Sequence, residues 1–267
     1  MALRLADEYR SSLPSLRFHP TRKHVRARKN GRTLVDSVQA RLVWEPRRVV
    51  PQYAVPPSDI AAELTEVPAP SAEENPVQLI DVPVLDPSTA FAVHTCPGTT
   101  YDIGDCAAAG FKPDDPDLDG YVLLDWKAFD EWLEEDEPVL GHPRDPRKRI
   151  DLLNSSRHIR IELDGMTLAD SHRPLMLFET FLPTRYYLPP EDVRMALLQH
   201  SDRRTTCAYK GHATYWSVGE SAPNIAWTYQ DPLDGMQRIA GRVAFFTERL
   251  DLEVDGERHK RPVTPWS

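Results

Sequence analysis

Residues 158–171 read HIRIELDGMTLADS, and the fold class follows from how that stretch is laid out. Apolar residues alternate with polar ones through Ile159, Ile161 and Leu163, the period of a half-buried strand. Asp164-Gly165 then offers two residues that tolerate the left-handed backbone of a tight hairpin turn, and Met166 opens the return strand. An earlier stretch, HVRARKNGRTLVDS at 24–37, has the same length and plan. Segments 22–56 and 156–190 align without a gap. His24 meets His158, Gly31 meets Gly165, Asp36-Ser37 meets Asp170-Ser171, Glu45 meets Glu179 and Tyr53 meets Tyr187, each pair 134 residues apart. Repetition at fixed spacing is the signature of a duplicated structural unit, so two tandem copies of one small antiparallel β domain are expected.

Working outward, the match lapses after Pro56. The first copy continues through an acidic, proline-rich insertion at 63–87, which reads as solvated and unable to bury a core. The match resumes where TCPGTTYDIGD around Cys96 answers TTCAYKGHATYWSVGE around Cys207, and Asp119-Gly120 answers Asp234-Gly235. The first copy has no YKG. PLMLFET, TRYYL, HATYWSV, NIAWTY and GRVAFFT read as further strands of the second copy. One short helix is expected in each copy, at PPEDVRMALLQH in the second and over 127–135 in the first, where Trp126, Phe129, Trp132 and Leu133 recur at helical spacing. The domain plan is an arm at 1–20, a degenerate first repeat at 21–140 and an intact second repeat at 141–267, divided near Gly141 in the proline- and charge-rich PVLGHPRDPRKR.

Composition narrows the function classes. With 40% apolar and 27% charged residues and no long uncharged apolar run, a membrane span is not expected. Acidic residues near the amino terminus argue against a signal peptide, which leaves the cytoplasm as the expected location. A net charge of -9 repels phosphate backbones, so nucleic acid is not an expected partner. Cys96, Cys106 and Cys207 form neither a disulfide framework nor a CxxC pair, and no cofactor is expected. His158 and His212 stand isolated along the chain, so no metal site is expected either.

The densest polar and aromatic cluster is TTCAYKGHATYW, with Cys207, Lys210, His212, Tyr215 and Trp216 in one loop and the strand it enters. A cation beside a thiol lowers its pKa and favours the nucleophilic thiolate, whereas a packed cysteine next to a solvated lysine would give the same sequence. Gly211 permits positive φ or close approach of a ligand. Asp170, Ser171, Glu179, Arg185 and Tyr186 form a second candidate set if their strands are adjacent; Asp-Ser turns and exposed ion pairs are the plainer reading. Trp216, Trp227 and Tyr229 would line an aromatic wall if they share a sheet face. Arg22, His24, Arg26 and Arg28 would lie on one strand face and meet phosphate or, more simply, water.

LDGMTLADSHRPLMLFETFLPTRYYLPPEDVR, followed by TTCAYKGHATYWSV and AWTYQDPLDGMQRIAGRVAFF, resembles the bacterial family called domain of unknown function 427. ADS, the FET glutamate, RYYLP, DVR, C-x-YKG-x-A-x-Y-W, W-x-Y-x-x-P and G-x-VAFF occur in order. The first copy resembles a worn member that keeps VDS, Trp44-Glu45 and Tyr53. The resemblance implies a mainly antiparallel, β-tent-like domain, in a version without the cysteine pairs that hold zinc in other tent-like domains. Some labels for the family mention a nucleotidyltransferase, but no Asp-x-Asp pair follows a Gly-Ser turn here.

Three functions are therefore expected, in falling order. The first is binding of an unidentified small molecule in the second repeat, with or without catalysis, by Asp170, Ser171, Glu179, Arg185, Tyr187, Cys207, Lys210, Gly211, Tyr215, Trp216, Trp227 and Tyr229. The second is a non-enzymatic scaffold that binds a protein partner through the 63–87 insertion. The third is metal-assisted nucleotidyl transfer.

Overall fold

In the computed structural model, which describes residues 2–267, Ile159–Leu163 and Met166–Ser171 pair antiparallel, Ile159 opposite Ser171 and Leu163 opposite Met166. The turn uses the left-handed backbone that Asp-Gly permits, with φ of 49° at Asp164 and 81° at Gly165. Val25–Lys29 and Arg32–Ser37 do the same through Asn30 and Gly31, at φ of 51° and 73°. Each hairpin carries a register shift at the equivalent place, between Ala27 and Arg28 and between Ile161 and Glu162. Each is extended by a later strand, Glu131–Glu134 on the first and Asp251–Val254 on the second.

The chain divides into two units between Asp145 and Pro146, a few residues beyond the boundary expected at Gly141. Both units are mainly β. The first holds a seven-stranded, a four-stranded and a two-stranded antiparallel sheet, and the second holds two four-stranded sheets and one three-stranded sheet. Among the described residues the α-helix is Leu5–Ser12.

The two helices expected from residue spacing fold otherwise. Trp126–Ala128 is a single 3-10 turn, and Glu131–Glu134 is a strand whose Trp132 and Leu133 lie opposite Ala27 and Arg26. The indole of Trp132 stacks at 5.0 Å on Trp126 and at 5.2 Å on Tyr53, so helical spacing of aromatics arises here from a turn folding back onto a strand. In the second unit Pro190–Asp192 and Met195–Leu197 are separate 3-10 turns. Between them Val193 bridges to Ala169 and Arg194 N–H donates to the Leu168 carbonyl, which holds the chain extended where a helix would continue. Sheet pairing overrides local propensity at both places.

The 63–87 segment is also more integrated than its composition suggests. Leu64–Val67 pairs with Gly98–Ile103, and a Pro76–Leu79/Val82–Leu85 hairpin buries Leu79, Val84 and Leu85. Its acidic side chains stay outside, where Glu74 pairs with Arg47.

In the second unit the sheet containing Gly211–Val218 and Ala222–Pro232 is covered on both faces. Strand alternation sends Trp216, Ala226 and Phe245 into the core with Ile159, Ile161 and Leu252, and it sends Tyr215, Trp227, Tyr229 and Phe246 into a second core with Leu175, Leu177 and Tyr187. Packing in the first unit is equally tight at Gly98, where an added Cβ would lie 2.4 Å from the Lys112 carbonyl oxygen and 2.5 Å from the Phe111 ring. Gly98→Ala is expected to destabilise the first unit by about 1–3 kcal/mol, measured by urea unfolding.

Candidate functional site

Glu179 ends the Leu175–Glu179 strand, and Lys210 ends the turn that joins Gln199–Cys207 to Gly211–Val218. Gly211 makes that turn with φ of 95°, and a Cβ there would sit 3.4 Å from both the Asp231 carbonyl oxygen and the Leu233 nitrogen. The lysine carbonyl is held by Leu233 N–H at 3.2 Å. Its side chain therefore turns inward, is 8% exposed, and places Nζ 2.7 Å from Glu179 Oε2. The plainer expectation of a solvated Lys210 does not hold. Lys148 Nζ lies 3.8 Å from the other carboxylate oxygen and donates to the Thr180 carbonyl.

The electrostatics of this cluster are coupled. Burial raises the Glu179 pKa, but Lys210 and Lys148 outweigh it and leave the carboxyl below its ordinary value. Burial lowers the Lys210 pKa, and the neighbouring Cys207, Glu179 and Tyr187 groups together more than reverse this, so the ammonium lies above its usual range. Burial pushes the Tyr187 hydroxyl up to about 12 and raises Tyr229 strongly. Glu179 and Lys210 are thus a charged pair set among neutral aromatic hydroxyls.

Beside Glu179 an open pocket of about 250 Å³ is lined by Arg149, Asp151, Phe178, Glu179, Thr180, Leu182 and Thr184. The first unit has a smaller, more enclosed cavity of about 80 Å³, lined in part by Arg48, Gln52, Thr89, Asp125 and His142. Arg48 Nε, Gln52 Oε1 and Thr89 Oγ1 make no hydrogen bond to the protein. At about 30 Å³ per water molecule, that space suits ordered water better than an organic ligand. Glu45, the counterpart of Glu179 at the 134-residue spacing, is fully buried. It accepts from Thr95 N–H at 2.8 Å, and His94 Nδ1 and Arg48 Nε lie 3.1 and 3.6 Å away. A buried carboxylate needs polar or positive partners, and here a backbone N–H, a histidine ring and an arginine stand where the second unit uses lysines.

Of the residues expected at the site, Glu179, Tyr187, Cys207, Lys210, Gly211, Tyr215, Trp227 and Tyr229 gather around this one core. Trp227 Nε1 donates to the Tyr187 hydroxyl at 3.2 Å, and the Tyr215 hydroxyl lies 2.8 Å from Thr205 Oγ1. Trp216 is on the opposite face of the same strand and donates to Thr228 Oγ1, so no wall of Trp216, Trp227 and Tyr229 forms. The second expected set converges only in part: Arg185 lies over the Trp227 ring of this core at 5.4 Å and its charge helps to lower the Glu179 pKa, while the other members do not join them. Ser171 donates to Asp192 Oδ2 at 2.7 Å, Asp170 lies 2.7 Å from His158 Nε2, Arg185 pairs with Glu248, and Tyr186 is in the other core. Arg26 and Arg28 are paired with Asp136 and Glu131, and His24 with Asp36, on an ion-paired solvated face.

Sequence reasoning missed Lys148, Glu248 and the pocket residues Arg149 and Thr184. The PRKR run containing Lys148 read as linker, and nothing local to Glu248 points to Arg185. It also treated His158 as isolated, whereas pairing across the hairpin sets it beside Asp170 and stacks its ring on His172 at 4.2 Å.

No helix among the described residues is long and apolar enough to cross a membrane. No curated protein matches the chain. Residues 151–256, which lie within the second unit and include the Glu179–Lys210 pair, match the family model described as Domain of unknown function (DUF427).

Proposed function

We propose that the second unit binds a small polar molecule at the pocket beside Glu179, and that the first unit is a diverged copy of the same domain. One observation carries the reading: Glu179, whose carboxylate is kept ionised by buried Lys210, is among the residues that line an open pocket of about 250 Å³. An ionised carboxylate only accepts hydrogen bonds, so the ligand presents hydroxyl or amino donors to it. Phe178 and Leu182 offer an apolar surface, and Thr180, Thr184 and Arg149 offer polar contacts, a mixture suited to a sugar- or nucleoside-like molecule. Three free cysteines accord with a reducing, cytoplasmic setting.

The test is thermal unfolding of the full chain against sugars, nucleosides, nucleotides and small carbonyl compounds. A ligand at 100 times its dissociation constant adds about 2.7 kcal/mol. The expected result is a midpoint rise with one class that is lost in Thr184→Trp, which fills the pocket from its wall and leaves Glu179 and Lys210 in place. Absence of any shift across the panel, or a shift that Thr184→Trp leaves intact, overturns the proposal.

A further inference from the structure

The hairpin of Ile159–Leu163 and Met166–Ser171 in the second unit holds two imidazoles and a carboxylate on one face. Its register sets Ile159 opposite Ser171 and Arg160 opposite Asp170, and His158 and His172 flank the paired ends. Ile159 and Ser171 point into the protein. Strand alternation then places His158, Asp170 and His172 together on the outer side. His158 Nε2 is 2.7 Å from Asp170 Oδ1, the two imidazoles stack with 12° between their planes, and one ligand atom from each of the three residues lies within 4.8 Å of the others.

A cation bound at about 2.0–2.2 Å by nitrogen and oxygen holds its donors roughly 3–3.5 Å apart. Binding therefore requires the exposed His172 ring to leave its stack on His158 and the His158–Asp170 contact to widen by a few tenths of an ångström. The His158 end is anchored, because its backbone N–H donates to Asp255 Oδ1 at 2.8 Å. We propose that His158, Asp170 and His172 form a binding site for a borderline divalent cation of the Zn²⁺ or Ni²⁺ type. Two imidazoles and one carboxylate suit such ions better than Ca²⁺ or Mg²⁺, which prefer all-oxygen shells. Solvent completes the coordination, since Asp170 and His172 are exposed.

The chain contains its own control. In the first hairpin His24 Nε2 lies 2.6 Å from Asp36 Oδ1, but the third position is Val38, whose side chain is exposed to solvent. The first hairpin therefore offers two ligands and the second offers three.

Isothermal titration of the full chain with Zn²⁺ and separately with Ni²⁺, in the wild type, His172→Val, Cys207→Ser and Val38→His, tests the site. His172→Val installs the residue of the first hairpin at a solvent-facing position. It is expected to keep the wild-type circular dichroism spectrum and to lower cation affinity by about tenfold or more. Cys207→Ser is expected to bind as the wild type does, and Val38→His to gain a second equivalent. Equal affinity and stoichiometry in the wild type and His172→Val, or loss of binding in Cys207→Ser, overturns the proposal. None of these outcomes depends on the Glu179 pocket.

Discussion

Replacing Lys210 by methionine is expected to destabilise the second unit by about 3–5 kcal/mol, because it strands an ionised carboxylate in a buried setting. Lys210 is 8% exposed and its partner carboxylate is 2.7 Å away. Lys148 remains, but at 3.8 Å it is a weaker partner for Glu179. Glu179→Leu/Lys210→Met removes both charges and is expected to recover most of the loss, since exchanging a whole buried pair for apolar groups is often neutral. Urea unfolding of the wild type, both single variants and the double variant completes the cycle. Additive single losses in the double variant would mean that the two groups do not act as a pair.

The pH dependence follows from the two shifts. Glu179 titrates below its ordinary value when folded, so its contribution is present above the unfolded carboxylate pKa and is lost as pH falls through the lower folded value. Lys210 titrates above its ordinary value, so its contribution is present below the unfolded lysine pKa and is lost as pH rises through the folded value. The stability difference between the wild type and the double variant is therefore expected to be level from about pH 5 to 10 and to change on either side.

Arg185→Ala is expected to have an effect of similar size, about 3–5 kcal/mol, for a related reason. Its guanidinium meets Glu248 with two bonds of 2.7 and 2.5 Å, and the Thr264 hydroxyl donates to the same carboxylate at 2.7 Å. The cation also lies 5.4 Å from the Trp227 ring centre, 5.6 Å from Trp266 and 5.8 Å from Phe246. Burial raises the Glu248 pKa, but the Arg185 bonds outweigh it and hold the carboxyl below its usual value. Arg185→Lys is expected to recover only part of the loss, because an ammonium keeps the charge but cannot make the parallel pair of bonds. Urea unfolding measures both variants, and a lysine variant as stable as the wild type would show that charge alone suffices.

The strand pattern at 158–171, its counterpart at 24–37 and the β-rich class were legible because alternation at period two and Asn-Gly or Asp-Gly turns act over a few residues. The inward set around Tyr215, Trp227 and Tyr229 was only half legible. Spacing says that Trp227 and Tyr229 share a face and that Trp216 does not share one with Tyr215, but both faces of this sheet are buried, so polarity gives no sign of which core each enters.

By itself, then, the sequence determined the hairpins, the mainly antiparallel architecture and the concentration of polar residues around Cys207 and Lys210. Tertiary structure alone decided which charges meet. Glu179 with Lys210 is a contact 31 residues apart and Arg185 with Glu248 one of 63, and each depends on which strand edges pair. It also decided that 131–134 is a strand and not a helix, because the edge of the first hairpin stood open to receive it. Local chemistry sets a residue's options, and burial of a charge or an open strand edge selects among them only after distant segments come together.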